Sequence, residues 1–222
     1  MKIALLISSL LLLHTSYGQV LKPGFEKSEY IETLKINHKA HISLEKWEEI
    51  KTVSDPQDFS FVYRSPVVAF DNIWDLWVHK EKPIALIAVQ GSIQTEASFL
   101  ANLYAAMIPA KGELQLDKDF LFKYKLAEHP NAAVQVGWFV AMAYLSKTIE
   151  AKIDSCYKVG IKDFILTGHS QGGGITFMLN AYLENLKLDK KLPQDIRFKT
   201  YCSAVRWSRK SAHFLHKLGK NG

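Results

Sequence analysis

The stretch that decides the reading of this chain is Asp163–Phe177, DFILTGHSQGGGITF. An apolar run leads directly into Gly168-His169-Ser170-Gln171-Gly172, and the chain then continues in small and apolar residues. A Gly-x-Ser-x-Gly match alone has little specificity. Its mechanical requirement is specific, because the serine must sit on a tight turn between a buried strand and a helix. The flanking sequence predicts both, with a strand over 163–168 and a helix from Gly172 to about Leu186. In such an elbow the serine takes a strained backbone conformation. Gly168 and Gly172, two residues either side, let strand and helix approach closely. Two further glycines in the first helical turn, Gly173 and Gly174, leave further room and each cost roughly 1 kcal/mol relative to Ala, so something other than helix stability keeps them there.

Working outward, the sequence predicts strands at "IWDLWVH" and "PIALIAVQ", the second continuously apolar like a strand covered on both faces. Helices are expected over 95–107, with Phe99, Leu100, Leu103, Tyr104 and Met107 on one side, and over 133–159, with Trp138, Met142, Leu145, Ile149 and Ile153 in register. A further strand follows over 196–203, and a shorter helix is expected to start at Ser43 in "SLEKWEEIKTV". Strand and helix in alternation imply an α/β fold with a mostly parallel sheet and helices on both faces. Between Ile108 and Asn131, the alternating "DFLFKYKL" reads as an extra hairpin at the sheet edge in preference to a mobile flap. Trp74, Trp77, Trp138 and Phe139 read as core aromatics in preference to an acyl groove.

The helix dipole and free amides after Ser170 suit stabilisation of developing negative charge, with the Gln171 N–H as one donor. Gly91-Ser92, at the end of the apolar strand, can supply the second through the Ser92 N–H and hydroxyl.

At 222 residues and 48% hydrophobic content, the chain can bury one full core. Residues 1–18, MKIALLISSLLLLHTSYG, carry Lys2, a mainly apolar stretch from Ile3 to Leu13, and Ser16 and Gly18 before Gln19. That is the build of a signal peptide cleaved near Gly18, which predicts a secreted or periplasmic protein. No later stretch has the ~20 apolar residues of a span. Residues 19–204 form the expected domain. The net charge of +6 falls to +1 without Arg206, Arg209, Lys210, Lys217 and Lys220, so basicity belongs to the tail over 205–222 and does not argue for a nucleic-acid partner. The eight histidines show no ligand spacing, and no metal or other cofactor is expected. Cys156 and Cys202 read as two small hydrophobes rather than a disulfide.

With these residues in place, the chain resembles the fungal-type (class 3) lipases of the α/β-hydrolase fold, a family with bacterial exported members. The resemblance rests on "IALIAVQGS", "VQVGWFVAMAYLSKTIEAKI", "FILTGHSQGGGIT" and "IRFKTYCSA", and it spans about Tyr63 to Ala204. It implies a cofactor-free serine hydrolase acting on ester or lipid substrates, with Ser170 as nucleophile and Ser92 and Gln171 at the oxyanion hole. His169 is then a structural residue of the elbow.

The family pattern also implies an acid and a histidine after later strands. Glu184, Asp189 and Asp195 follow Ser170 but precede the next strand. His213 and His216 are the only later histidines, weighed as base candidates against a reading as tail residues. The basic stretch from Val205 departs from the family pattern. The alternative expectation is therefore a truncated or catalytically impaired hydrolase-fold protein that lacks the acid and histidine of the triad.

Overall fold

The computed structural model describes residues 20–203 except 51 and 105. The expected signal segment over 1–18, the basic stretch over 205–222, His213 and His216 lie outside the described residues. In chain order the elements are α1 (Lys27–Ala40), β1 (Phe59–Arg64), β2 (Trp74–His79), β3 (Ile84–Val89), α2 (Glu96–Leu103), β4 (Met107–Pro109), β5 (Lys111–Asp117), β6 (Phe120–Lys125), β7 (Ala133–Gln135), α3 (Val136–Lys158), β8 (Asp163–His169), α4 (Gln171–Leu188) and β9 (Arg197–Ser203).

The main sheet has the order β1-β2-β3-β8-β9. Pairing is parallel across β3, β8 and β9 and antiparallel across β1, β2 and β3, so the sheet is mixed rather than mostly parallel. Its parallel half carries the elbow. The two crossovers from β3 through α3 to β8, and from β8 through α4 to β9, need a helix each, which is why the pattern there is legible as alternation.

Side chains of β3 alternate between two cores. Ala85, Ile87 and Val89 join α3 and α4 on one face, with Phe139, Met142 and Leu179. Ile84, Leu86 and Ala88 join Ile36 of α1, Trp77 and Ile165 on the other. Burial on both faces is what makes β3 read as one apolar run. Trp74, Trp77 and Phe139 are core residues, as their spacing suggests.

Several elements differ from the sequence expectations. The helix expected from Ser43 is only a 3-10 turn over Leu44–Lys46. Trp47 stops it, because its indole N–H donates to the carbonyls of Lys39 and Ile42 while the ring stacks on Trp77. The principal N-terminal helix is instead α1, whose buried side includes Glu32, Thr33, Asn37 and Lys39 and so lacks an apolar period. The expected hairpin exists as β5–β6, but it forms its own two-stranded sheet and does not extend the main edge. Phe122 and Tyr124 of β6 pack it on Phe139 and Tyr182, over α3 and α4. Met107 belongs to β4 rather than to α2, and residues 133–135 form β7 before α3 begins. Cys156 and Cys202 are free, and burial pushes the Cys202 thiol up to about 12.

The apolar side of α2 faces the opposite way from the expected one. Ser98 and Ala101 are its buried residues. Phe99, Leu100, Leu103 and Tyr104 are 56%, 45%, 74% and 54% exposed. Periodicity identified the helix, while polar partners beneath it determined which side turned inward.

Candidate active site

The parallel register pairs Val89 with Gly168, so Gln90-Gly91-Ser92 leaves the sheet alongside His169-Ser170-Gln171. Both segments emerge at the carboxyl ends of parallel strands, where open α/β sheets place their ligands. The sequence-derived residues Ser92, Ser170 and Gln171 are thereby brought to one corner.

Ser170 has φ 57° and ψ −125°, a conformation that non-glycine residues rarely adopt. Its carbonyl accepts from the N–H groups of Gly173 and Gly174 at 3.0 and 3.2 Å and so starts α4. A Cβ on Gly168 would collide with the Gly172 carbonyl, and one on Gly172 with the Val89 carbonyl. The elbow therefore closes only with glycine at both positions. Gly174 faces the Trp138 ring, which accounts for a third helical glycine. Gln171 and Gly172, in the first turn of α4, have N–H groups with no acceptor inside the helix, at its positive end.

The loop after β3 is held as tightly. A Cβ on Gly91 would lie 2.5 Å from the His169 carbonyl oxygen and 3.0 Å from His41 Nε2. His41 caps the C-terminus of α1, and its Nδ1 lies 2.8 Å from the Asn37 carbonyl, to which it donates. That bond leaves Nε2 as the acceptor. Desolvation holds His41 below the usual histidine value, against the Asn37 bond and with help from the nearby His169 and His38, so the ring is neutral at pH 7. The end of α1 is fixed in turn by Gln90 Nε2, which donates to the Ala40 carbonyl at 2.7 Å, and by Arg64, which donates to the Ile42 carbonyl while forking onto buried Asp75.

A line of hydrogen bonds crosses the corner beneath α2. Trp138 Nε1–H donates to Asn102 Oδ1 at 2.9 Å, and Asn102 Nδ2 donates to Ser92 Oγ at 3.1 Å. Ser92 Oγ donates to Gln171 Oε1 at 2.7 Å, and Ser98 Oγ lies 3.4 Å from the same oxygen. The Ile93 N–H donates to Ser98 Oγ. The hydroxyl proton of Ser92 is thus directed at Gln171, and the donor this residue has free for a bound oxyanion is its backbone N–H.

The later carboxylates stand elsewhere. Glu184 pairs with Lys187 and Asp189 with Lys191. Asp195 pairs with Lys162 and accepts from the Tyr157 hydroxyl, which places it beside the start of β8, the end of the sheet away from Ser170. Residues His41, Ser98, Asn102 and Trp138 were not predicted for the site. A signal existed for two of them, since after Glu96 the only polar positions of α2 are Ser98 and Asn102, at i, i+4 spacing. Among the described residues no group of three or more His, Cys, Asp or Glu could hold a metal ion, and no helix is long and apolar enough to cross a membrane.

The sequence matches the family described as lipase (class 3) over residues 86–221, a range that includes the elbow and continues through the basic segment. A fungal lipase–inhibitor complex, described as a model for interfacial activation in lipases, superposes with a TM-score of 0.55 at 13% identity, covering 86% of this chain and 66% of that one. Lipase II from Rhizopus niveus gives 0.49 at 13% identity, covering 86% and 67%. The Rhizomucor miehei triacylglyceride lipase gives 0.48 at 13% identity, covering 78% and 59%. The chain spans about three fifths to two thirds of the length of these solved relatives. The likeness shows the α/β-hydrolase-type fold. No curated protein matches the chain.

Proposed function

The chain belongs to the class 3 lipase family, and from that premise we propose that it is a secreted serine hydrolase cleaving carboxylic esters, with Ser170 as nucleophile. The observation that carries the reading is the strained backbone of Ser170 at the β8–α4 junction, since strain of this kind persists only where the surroundings impose it and concentrates at functional positions. Ser170 Oγ attacks the ester carbonyl. The backbone N–H groups of Gln171 and Ser92 then receive the oxyanion of the tetrahedral intermediate, whose collapse expels the protonated alcohol and leaves an acyl-enzyme that water hydrolyses to the acid and free Ser170. The proton transfers require a base, for which His213 and His216 are the candidates after Ser170. The exposed apolar side of α2, the helix whose inward side meets Ser92 through Asn102, suits an acyl chain or a lipid surface. Export rests on the leader over 1–18.

The test is hydrolysis of p-nitrophenyl butyrate by the chain from Gln19 to Gly222 beside Ser170→Ala. Turnover abolished by the substitution supports the reading; turnover that survives it removes Ser170 from the chemistry.

The second reading, a hydrolase-fold protein without turnover, is favoured by one observation. Glu184, Asp189 and Asp195 are all engaged by lysines away from Ser170. A folded sample with no hydrolysis and no covalent labelling of Ser170 by a phosphonate ester would select it.

A further inference from the structure

The line Trp138–Asn102–Ser92–Gln171–Ser98 has a defined direction, and the direction follows from its first member. An indole N–H can only donate, so Asn102 presents Oδ1 to Trp138 and its Nδ2 to Ser92. Ser92 Oγ, already accepting from Asn102, gives its single proton to Gln171 Oε1 at 2.7 Å, the commonest separation of an O–H···O bond. Gln171 is 1% exposed, and its Nε2 is buried with no hydrogen-bond partner among the described residues. A buried amide that strands its own donor while collecting two serine protons is retained for what its oxygen holds.

Resting on the reading of Ser170 as an ester-cleaving nucleophile, we propose that the Gln171 side chain is a positioning residue for the oxyanion hole. Through Oε1 it ties the Ser92 loop and α2 to the first turn of α4. The two backbone donors, Ser92 N–H and Gln171 N–H, belong to residues joined by this one side-chain bond, so the bond sets their spacing. Asn102 acts one step further back, because its donation to Ser92 turns the serine proton toward Gln171. Its own orientation is set by Trp138, the residue that requires glycine at position 174. The same four elements, the β3–α2 loop, α2, α3 and α4, therefore fix both the elbow and the opposing donor.

The experiment uses the chain from Gln19 to Gly222 in two variants. Gln171→Met keeps side-chain length and removes the acceptor. Asn102→Asp replaces the donor facing Ser92 by an oxygen, which draws the Ser92 proton away from Gln171. Two readouts are taken: kcat and KM for p-nitrophenyl butyrate, and the rate at which a p-nitrophenyl alkylphosphonate adds to Ser170, followed by intact mass. Misplacing one donor should lower kcat about tenfold to hundredfold and slow phosphonylation by the same factor. KM should stay within about twofold in both variants. A merely structural role would lower the folded fraction or raise KM without this parallel loss.

If Gln171→Met fails to fold by circular dichroism, Asn102→Asp decides alone. Phosphonylation of folded variants at the unaltered rate overturns the inference and leaves the nucleophile reading intact. A wild-type chain inert to both probes overturns the nucleophile reading, and the inference with it.

Discussion

Gly91 stands against His169 so closely that a Cβ at position 91 would lie 2.5 Å from the His169 carbonyl oxygen. This contact sets the gap between the loop after β3 and the elbow after β8, and hence the distance from the Ser92 N–H to Ser170. Backbone cannot yield as a flexible side chain can. Gly91→Ala is therefore expected to push the loop away from the elbow, lowering kcat by about 10² and stability by roughly 1–3 kcal/mol. Steady-state kinetics and thermal unfolding check it, and a variant with unaltered kcat would show that the close approach is incidental.

Ser170 with φ 57° and ψ −125° stores backbone strain of order 1–3 kcal/mol. Ser170→Gly and Ser170→Ala both remove the hydroxyl and differ only in the Cβ that makes the conformation costly. Glycine also loses more chain entropy on folding, by up to about 1 kcal/mol, which offsets part of the relief. The expected result is that Ser170→Gly is the more stable of the two by about 1 kcal/mol in urea unfolding. The reverse order would mean that the turn is not strained.

How much of this was readable in advance depended on where each signal came from. β3 and β8 were legible because strands covered on both faces are apolar throughout, as Leu86 and Ile87 or Ile165 and Leu166 show. The elbow was legible because the Gly168 and Gly172 contacts allow no side chain. α1 was hidden because its inward residues Glu32 and Asn37 find polar partners that only the folded chain supplies. α2 was found with its sides exchanged, since Ser98 faces Gln171 across 73 positions of sequence. His41 was invisible for the same reason: its place beside Gly91 is a tertiary contact with no local pattern.

Glu32 gives the chain a defined acid dependence. It is nearly buried, accepts from Lys35 at 2.7 Å and takes the N–H groups of Gln57 and Asp58 at 2.7 and 3.0 Å. Burial pushes its carboxyl up, but the Lys35 bond and the two amides outweigh that and hold it below the usual 4.5. A depressed folded value means that the unfolded chain binds the proton more readily, so the stability from Glu32 is fully present above about pH 4.5 and is lost as pH falls toward the folded value. Glu32→Gln should cost about 1–3 kcal/mol at pH 7 and progressively less below pH 4.5. Urea unfolding at pH 7 and pH 4 checks the convergence, and a cost independent of pH would assign Glu32 a packing role only.

Asp163 anchors the first described residues to the base of the sheet. Its carboxylate accepts the Val20 N–H at 3.0 Å and Arg197 Nη2–H at 3.0 Å, and Leu21 is 3% exposed among Ile36, Trp77 and Leu86. The residues immediately after the expected cleavage point are thus part of the fold and not a free tail. Leu21→Ala should destabilise the chain by about 2–4 kcal/mol, as for a buried leucine whose cavity does not collapse. Asp163→Asn removes the charge that Arg197 and the Val20 amide share, and because Arg197 is partly exposed the expected cost is about 2–3 kcal/mol, near the low end for breaking a buried pair. The two sites meet through consecutive residues, Val20 and Leu21, so a double variant should lose less than the sum of the single losses. Strict additivity in urea unfolding would show that Leu21 packs independently of the Val20–Asp163 bond.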